Sequence, residues 1–500
     1  MADLSPSEWF DKLNSRFTKA TRPEWQDRLC RPVAIRPRNE VLDTLWSYNV
    51  GDAPLPQVAE GYEDVFRDVM RTARCNYAPM CVSAMLDRME LQAVSTLVDS
   101  DANADDIAAE IIDESGFAAM TKELFGFMFS MGEAFAMAVD NPGGLPTAYA
   151  IDPRRCVGIP DRTNPIRLRA ALVKDWDPVD DAQQGHLFLP GRRYDALLKD
   201  GKWTVDDSKF EEIKGIDAFG GIPIVRFENA HGLGEYERHL DLLDRINDMT
   251  LKRLIIVAYQ AFRQRAIIGD ENDDDADDDT AEAPNWGDGV DGGSLDAQKW
   301  EDLASTIFRA DPGALWKVPD GFKFWESQAL DLGSILNAKR DDVKEFAAVT
   351  STPLHLITPD AANGSAEGAG LMRESSTSKV RDRRTRVTPQ MKLLWRILFG
   401  FAGQPDRGKQ MKLHWGPIEF RTLAEKASAS AQAADTLSLE QRCERIWEMS
   451  PAETQENIDQ RAAEAILIPA APAAPSSAST GQQQPPSAPP DAGPTGVSAA

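Results

Sequence analysis

Apolar positions recur at helical spacing through most of the chain, and where that spacing fails the pattern turns to short alternating runs. Trp9, Phe10, Leu13 and Phe17 fall on one stripe, which predicts a short amphipathic helix over residues 5–19 that packs on its own or a neighbouring subunit. Val41, Leu42, Leu45 and Trp46 mark a helix over 39–48, ended by the turn from Asn49 to Pro56. Helices are expected at about 62–73 and 79–96. Residues 105–137 read as a further helical stretch broken near Gly116, and its end, Phe125 to Phe135, is apolar all round and therefore expected to be buried.

From Thr147 to Asn229 the period shortens. Residues 149–152, 166–174, 186–189, 202–205 and 222–227 are partly alternating runs separated by Gly, Pro and Asp, the mark of an antiparallel sheet region. A long helix is then expected from Glu235, with Tyr236, Leu240, Leu243, Ile246, Thr250, Leu254, Val257 and Ala261 in phase. About 30 residues of helix would span on the order of 45 Å. An acidic, glycine-rich insert follows, opened by Asp270–Asp279. A short helix is expected over 295–308 and a strand pair over Ala314 to Phe324. Ile335, Leu336, Lys339, Val343, Phe346 and Thr350 predict a second helix, stopped by Pro353. After a loop at 355–364, Ser365 is a plausible N-cap for a helix running to about Phe399, with Pro389 expected to kink it. A strand at 412–415 and helices at 422–435 and 437–466 complete the pattern. Residues 467–500, rich in Ala, Pro, Ser, Gly and Gln, cannot bury a core and are expected to be disordered.

Charge narrows the function classes. The chain carries a formal net charge of -25, which argues against wrapping nucleic acid by neutralising phosphates. A repelling wall past which DNA slides remains compatible with it. No apolar run approaches the length needed to cross a bilayer, and the N-terminal stretch lacks a signal-peptide pattern, so a soluble protein made in the cytoplasm is expected. Cys30, Cys75, Cys81, Cys156 and Cys443 are scattered without a CxxC pair and read as buried thiols.

Candidate chemistry is thin, and no cofactor, metal site or catalytic residue is expected. Gly403 to Gln410 nearly fits a phosphate-binding loop, but Gln410 stands where a magnesium-binding hydroxyl is needed, and a helix precedes it and a strand follows, the reverse of a P-loop. Asp273, Asp275 and Asp277 alternate as in a calcium loop, yet Asp278 and Pro284 occupy the positions that need Gly and Glu. The five histidines are dispersed, with no HExxH and no G-x-S-x-G. Arg373, Lys379, Arg381, Arg383, Arg384 and Arg386 form the strongest local charge anomaly. It reads as DNA contact or as a polar subunit interface facing acidic neighbours, and the acidic chain favours the second.

Three stretches in fixed order carry a resemblance: Leu45 to Pro56, Gly221 to Asn229 before the long helix, and Ala347 to His355 followed by Asn363 to Glu367. Over roughly residues 40–465 the chain resembles the portal proteins of long-tailed phages of the SPP1-like type. The resemblance implies an α+β, mainly helical portal fold of wing, stem, clip and crown, assembling as a dodecameric ring around a DNA channel. By that likeness 1–19 is an N-terminal arm, 20–234 the wing, 235–266 and 331–354 the stem helices, and 267–330 the clip. Residues 355–365 are the tunnel loop, 366–421 the kinked wing helix and strand, and 422–466 the crown. The resemblance also implies weak, sequence-independent contact between passing double-stranded DNA and Thr358, Asn363, Gly364 and Ser365. Lys252, Arg253, Lys339, Arg340 and Lys344 become candidates for basic stem rings or interhelical salt bridges. Implied partners are other copies of the chain, terminase, a head–tail adaptor, and the capsid and scaffolding proteins, at the portal vertex of the virion, with no membrane involved. The rival readings are another phage head structural protein, or a nucleoside triphosphatase resting on the near-P-loop alone.

Overall fold

The computed structural model describes residues 4–19, 36–58, 63–96, 105–179, 181–261, 265–269, 322–326, 332–357, 366–419 and 421–467. The acidic run Asp270–Asp279, the stretch 295–308, Cys30 and residues 468–500 lie outside the described residues.

The first helix, α1 (Pro6–Asn14), is opened by a capping box in which Ser5 and Glu8 satisfy each other's backbone N–H. It is followed by α2 (Arg38–Val50), α3 (Glu63–Ala73) and α4 (Ala78–Leu86). The helix expected over 79–96 stops at Leu86, and Leu91–Thr96 is instead a strand, β1, paired antiparallel with residues 411–415. The partner lies more than three hundred residues away, so local spacing could not report it. Next come α5 (Asp106–Glu114) and α6 (Phe117–Met131), separated by Gly116 at φ +66°.

The apolar stretch expected as helix to residue 137 is helical only to Met131. Gly132, at φ +86°, caps α6 and the chain turns into strand β2 (Glu133–Val139). A Cβ on Gly132 would sit 2.3 Å from the Gly232 carbonyl oxygen, so two backbones touch where only glycine fits. Strand β3 (Thr147–Ile151) follows, and then β4 (Cys156–Pro160), β5 (Leu168–Asp177), β6 (Ala182–Leu189), β7 (Arg192–Lys199) and β8 (Lys202–Val205) in one antiparallel meander. The short β9 (Glu211–Glu212) pairs with β7. Strands β4, β7 and β9 escaped the sequence reading. Strand β10 (Ile224–Glu228) pairs with β2, giving a second sheet in the order β10-β2-β3.

Strand β5 explains its own near-continuous apolar run, because it is covered on both faces. Ala170 and Leu172 face α1 and the 3-10 turn after it, where Phe10, Leu13 and Phe17 are buried together with Leu187, Tyr194 and Ala196. Ala171 and Val173 face the other way, beside Phe188 of β6 and among Phe135, Ile151 and Ile224 of the neighbouring sheet. The arm therefore packs on its own chain. Gly185 leaves room for it, since a Cβ there would meet the Phe10 ring at 3.1 Å.

The long helix α7 runs over Leu240–Ala261, shorter than expected at both ends. Before it, Glu237–His239 is a 3-10 turn, and Tyr236 is buried ahead of that turn. Beyond it, Arg265–Gly269 is a strand, β11, that pairs antiparallel with β12 (Phe322–Glu326). Of the strand pair expected over 314–324, residues 314–321 lie outside the described residues, and the strand from Phe322 pairs with residues preceding the acidic insert. Helix α8 (Gly333–Val349) returns, and α9 (Ala366–Phe401) continues without interruption through Pro389. Strand β13 (Met411–Trp415) closes on β1. The C-terminal helices are α10 (Leu423–Gln432) and α11 (Pro451–Leu467), with a π-helical turn at Cys443–Trp447 and Glu448 at φ +60° breaking the helix expected over 437–466. The largest core joins α2, α4, α5, α6 and β2 to the roots of α7 and α8 and to the second half of α9, with Trp395, Phe399 and Phe125 fully buried.

Candidate functional site

The α7 and α8 helices form an antiparallel pair, the start of one lying against the end of the other. Leu243 and Ile246 of α7 and Val343, Phe346 and Ala347 of α8 are buried in the shared core. Arg245 ties the two across the seam, 3.0 Å from Asp342 and 2.5 Å from Glu345. Further along α7, Leu251, Leu254 and Ile255 pack on Phe66, Val69, Met70 and Ala73 of α3. The pair still leaves Val257 and Val349 each 45% exposed, so its outer sides are unfinished as a monomer.

What fixes the pair to the rest of the molecule is a buried ion cluster at its root. Close approach of glycine backbones sets the approach path: Glu235 N–H donates to the Phe129 carbonyl at 2.7 Å and Asn229 N–H to Gly132 at 2.9 Å. This holds the Glu235 side chain, 2% exposed, between two cations of α9. Lys379 Nζ lies 2.6 Å from Oε2 and Arg383 Nε 2.8 Å from Oε1, while Asn229 Nδ2 donates to Oε1 at 3.0 Å. Lys379 also donates to the Thr350 carbonyl, at the C-terminus of α8, at 2.7 Å. One lysine thus joins the end of α8 to the entry of α7. Burial alone would push the Glu235 carboxyl up, but the Lys379 and Arg383 charges and their hydrogen bonds outweigh it and hold it below the usual carboxylate range. Tyr236 anchors the same entry by donating from its buried hydroxyl to the Leu45 carbonyl at 2.7 Å.

The candidate residues from the sequence fare unequally. Thr358, Asn363, Gly364 and Ser365 lie outside the described residues. Lys252 pairs with Asp248 one turn back at 2.6 Å, and Lys344 with Asp341 at 3.0 Å, both on their own helices. Arg253 is half-buried and Arg340 exposed. Lys339 turns inward, its Nζ 3.3 Å from Cys75 Sγ beside α3. The interhelical bridge belongs to Arg245, which the sequence reading passed over. In the sequence Glu235 marks only a helix start. The i, i+4 spacing of Lys379 and Arg383, which puts two cations on one helix face, was the available signal for a carboxylate opposite.

Within the basic stretch, Lys379, Arg383, Arg384 and Arg386 meet acidic or carbonyl oxygens of the same chain, Arg381 is exposed, and the Arg373 side chain lies outside the described residues. Besides the Glu235 cluster, Arg386 pairs with Asp382 at 2.8 Å, and Arg384 donates to the Arg88 carbonyl at 3.0 Å and lies over the Trp415 ring. Pro389 and Thr385 are both exposed, so the backbone hydrogen bond that proline removes is lost on the solvent side of α9. The near-P-loop is a 3-10 turn, Pro405–Gly408, between α9 and β13, with Arg407 bound to Asp105 at 2.8 Å and Asp106 at 2.5 Å. Its lysine, Lys409, pairs with Asp406 at 2.6 Å, and a strand follows where a phosphate cradle needs a helix N-terminus. Among the described residues, Cys81, Cys156 and Cys443 are buried and Cys75 is half-buried, all as free thiols, and no helix is long and apolar enough to cross a membrane.

Comparison with known proteins gives one match of family rank. The model of the family described as phage portal protein, SPP1 Gp6-like, matches residues 60–466. No curated protein matches the chain. Among solved structures, a chain from the neck of a native GTA particle, computed with C12 symmetry, shares 12% identity and covers 87% of this chain and 96% of its own, at a TM-score of 0.44. A chain from the virion of a native gene transfer agent particle shares 15%, covering 88% and 98%, at 0.44. A chain from the neck of an empty GTA particle, computed with C6 symmetry, shares 16%, covering 85% and 94%, at 0.46. The assignment rests on the family match, which spans most of the chain: the protein belongs to the SPP1 Gp6-like phage portal family.

Proposed function

We propose that the chain is a structural protein of the virion that assembles as a dodecameric ring at one capsid vertex. DNA enters through the ring during packaging and leaves through it at ejection. The observation that carries the reading is the α7–α8 pair, rooted in the wing by the Glu235–Lys379–Arg383 cluster and left with apolar outer sides. A helix pair in this condition gains by standing beside copies of itself. Family membership supplies the rest.

In this reading 20–234 is the wing, behind the N-terminal arm 1–19, and 235–266 with 331–354 the stem. Residues 267–330 are the clip that docks terminase and later the head–tail adaptor. The tunnel loop 355–365, with Thr358, Asn363, Gly364 and Ser365, touches passing DNA, and 422–466 is the crown. Residues 366–421 cross the wing with a bend at Pro389. No step of this work needs bond chemistry in the chain; it needs a stiff wall that does not stick, and a net charge of -25 suits that. Electron microscopy of the purified protein tests the proposal. Rings with a central hole are expected, and a monomer under all conditions, capsid-assembly conditions included, would overturn it.

A further inference from the structure

Two depressions flank the root of α7, and no residue lines both. The first, a cleft of about 420 Å³, lies beside α9, and its ionised side chains are Arg238, Lys379, Arg383 and Arg386 against Glu235 and Asp382. The second, a groove of about 440 Å³, lies between α7 and the Pro54–Gln57 segment, with Asp241, Asp244 and Asp248 against Arg245. The cleft has an excess of positive charge and the groove an equal excess of negative charge.

Most of these charges are already held. Glu235 takes Lys379 and Arg383, and Asp382 takes Arg386. In the groove Asp244 accepts the Tyr48 hydroxyl at 2.5 Å, Asp248 is paired with Lys252, and Arg245 is shared by Asp342 and Glu345. One ionised side chain on each side is left without a partner. Arg238 and Asp241 are both exposed and have no ion-pair or hydrogen-bond partner among the described residues. Although close in sequence, they do not pair with each other.

We infer that these two sides are halves of one contact between copies, in which Arg238 on the cleft of one copy meets Asp241 on the groove of the next. The inference rests on the ring reading and names the contact that would build it. A ring needs a heterologous interface, in which two different surfaces of the chain meet, and two separate, oppositely charged depressions meet that need. The need for local complementarity is strong, because copies carrying a net charge of -25 repel at long range.

The test uses full-length Arg238→Glu and Asp241→Arg, separately and mixed one to one, with the fraction in rings read by electron microscopy and sedimentation. Alone, each variant places like charges at every contact, and its ring fraction should drop on the order of tenfold where the wild type is assembled. Mixed, the variants can alternate around the ring. Every contact is then either the wild-type pair or its reversal, and rings should return. Far-UV circular dichroism and thermal melts matching the wild type establish that each variant is folded. Single variants that assemble like the wild type, or folded variants whose mixture stays unassembled, would overturn the pairing. A wild type that never forms rings would overturn the portal reading and the pairing with it, an outcome visible before any variant is made.

Discussion

Glu235 is the residue on which the root of the helix pair depends, because it is the one carboxylate between Lys379 and Arg383. Replacing it leaves the largely buried Lys379 without its counter-charge and Arg383 with only the half-exposed Asp382, and breaking such a cluster typically costs roughly 3–5 kcal/mol. Glu235→Gln, nearly isosteric, should therefore lower unfolding stability at neutral pH by about that much, measured by urea titration. The wild-type carboxyl titrates below its ordinary value, so its stabilisation is complete above the ordinary carboxylate range and is lost as pH falls through the folded value. His414 acts in the same direction one step higher. Burial, with Lys412 nearby, lowers its pKa from 6.5 to about 4, and its ring is hydrogen-bonded to Ser95 at 2.8 Å. The unfolded chain takes up that proton first, so stability should fall between pH 6.5 and about 4. A pH series of urea midpoints should show both segments. His414→Gln should flatten the upper one and Glu235→Gln the lower one. A wild-type profile that is flat between pH 6.5 and about 4 would count against the His414 assignment, and one with no further fall below the ordinary carboxylate range against that of Glu235.

At the scale of elements, the boundaries carry the information. Gly132 ends α6 at φ +86° with a backbone carbonyl 2.3 Å from where a Cβ would be. Gly132→Ala should destabilise by about 2 kcal/mol or more, from the left-handed backbone together with the clash. The same change at Gly116, also at positive φ but with nothing within 4 Å, should cost only the backbone share. Comparison of the two melts separates strain from clash. Pro389 offers the opposite case. Pro389→Ala restores a donor to the exposed Thr385 carbonyl and should raise monomer stability by roughly 1–3 kcal/mol. If Pro389 serves the proposed ring by bending α9, the more stable chain should assemble less well, and unchanged assembly would remove that role from Pro389. Helix starts were more legible than helix ends. The S/T-x-x-E signature stands at Ser5, Thr422 and Ser450, each followed by a helix whose Glu bonds back to the capping residue's backbone N–H, and at Ser450 it marks a start that the helix expected over 437–466 runs through. At α4 and α6, by contrast, apolar residues continued into strands, and an apolar run buried on all sides does not reveal its period.

At the scale of the whole molecule, the turn at 403–410 shows how far a motif depends on its setting. A nucleotide-binding assay should give the same null result for the wild type and for Lys409→Ala, because the lysine closes on Asp406 and a strand follows the turn. Saturable binding that Lys409→Ala abolishes would contradict this. The order of the parts was readable from the residues alone: a helical region, a strand-rich region, a helix, an acidic insert, a returning helix and a long basic helix. Each is a local fact of period, turn chemistry and composition, and together with three short stretches they sufficed to point to the portal family. Tertiary structure alone decided the pairings. It set β1 against β13, β2 against β10 and β11 across the acidic insert to β12. It also placed Lys379 and Arg383 on a glutamate some 150 residues earlier, making an internal clamp of two members of the basic stretch. Hydrophobic period reports which face of an element is covered but not what covers it, and a charge reports its need for a counter-charge but not where in the chain that counter-charge lies.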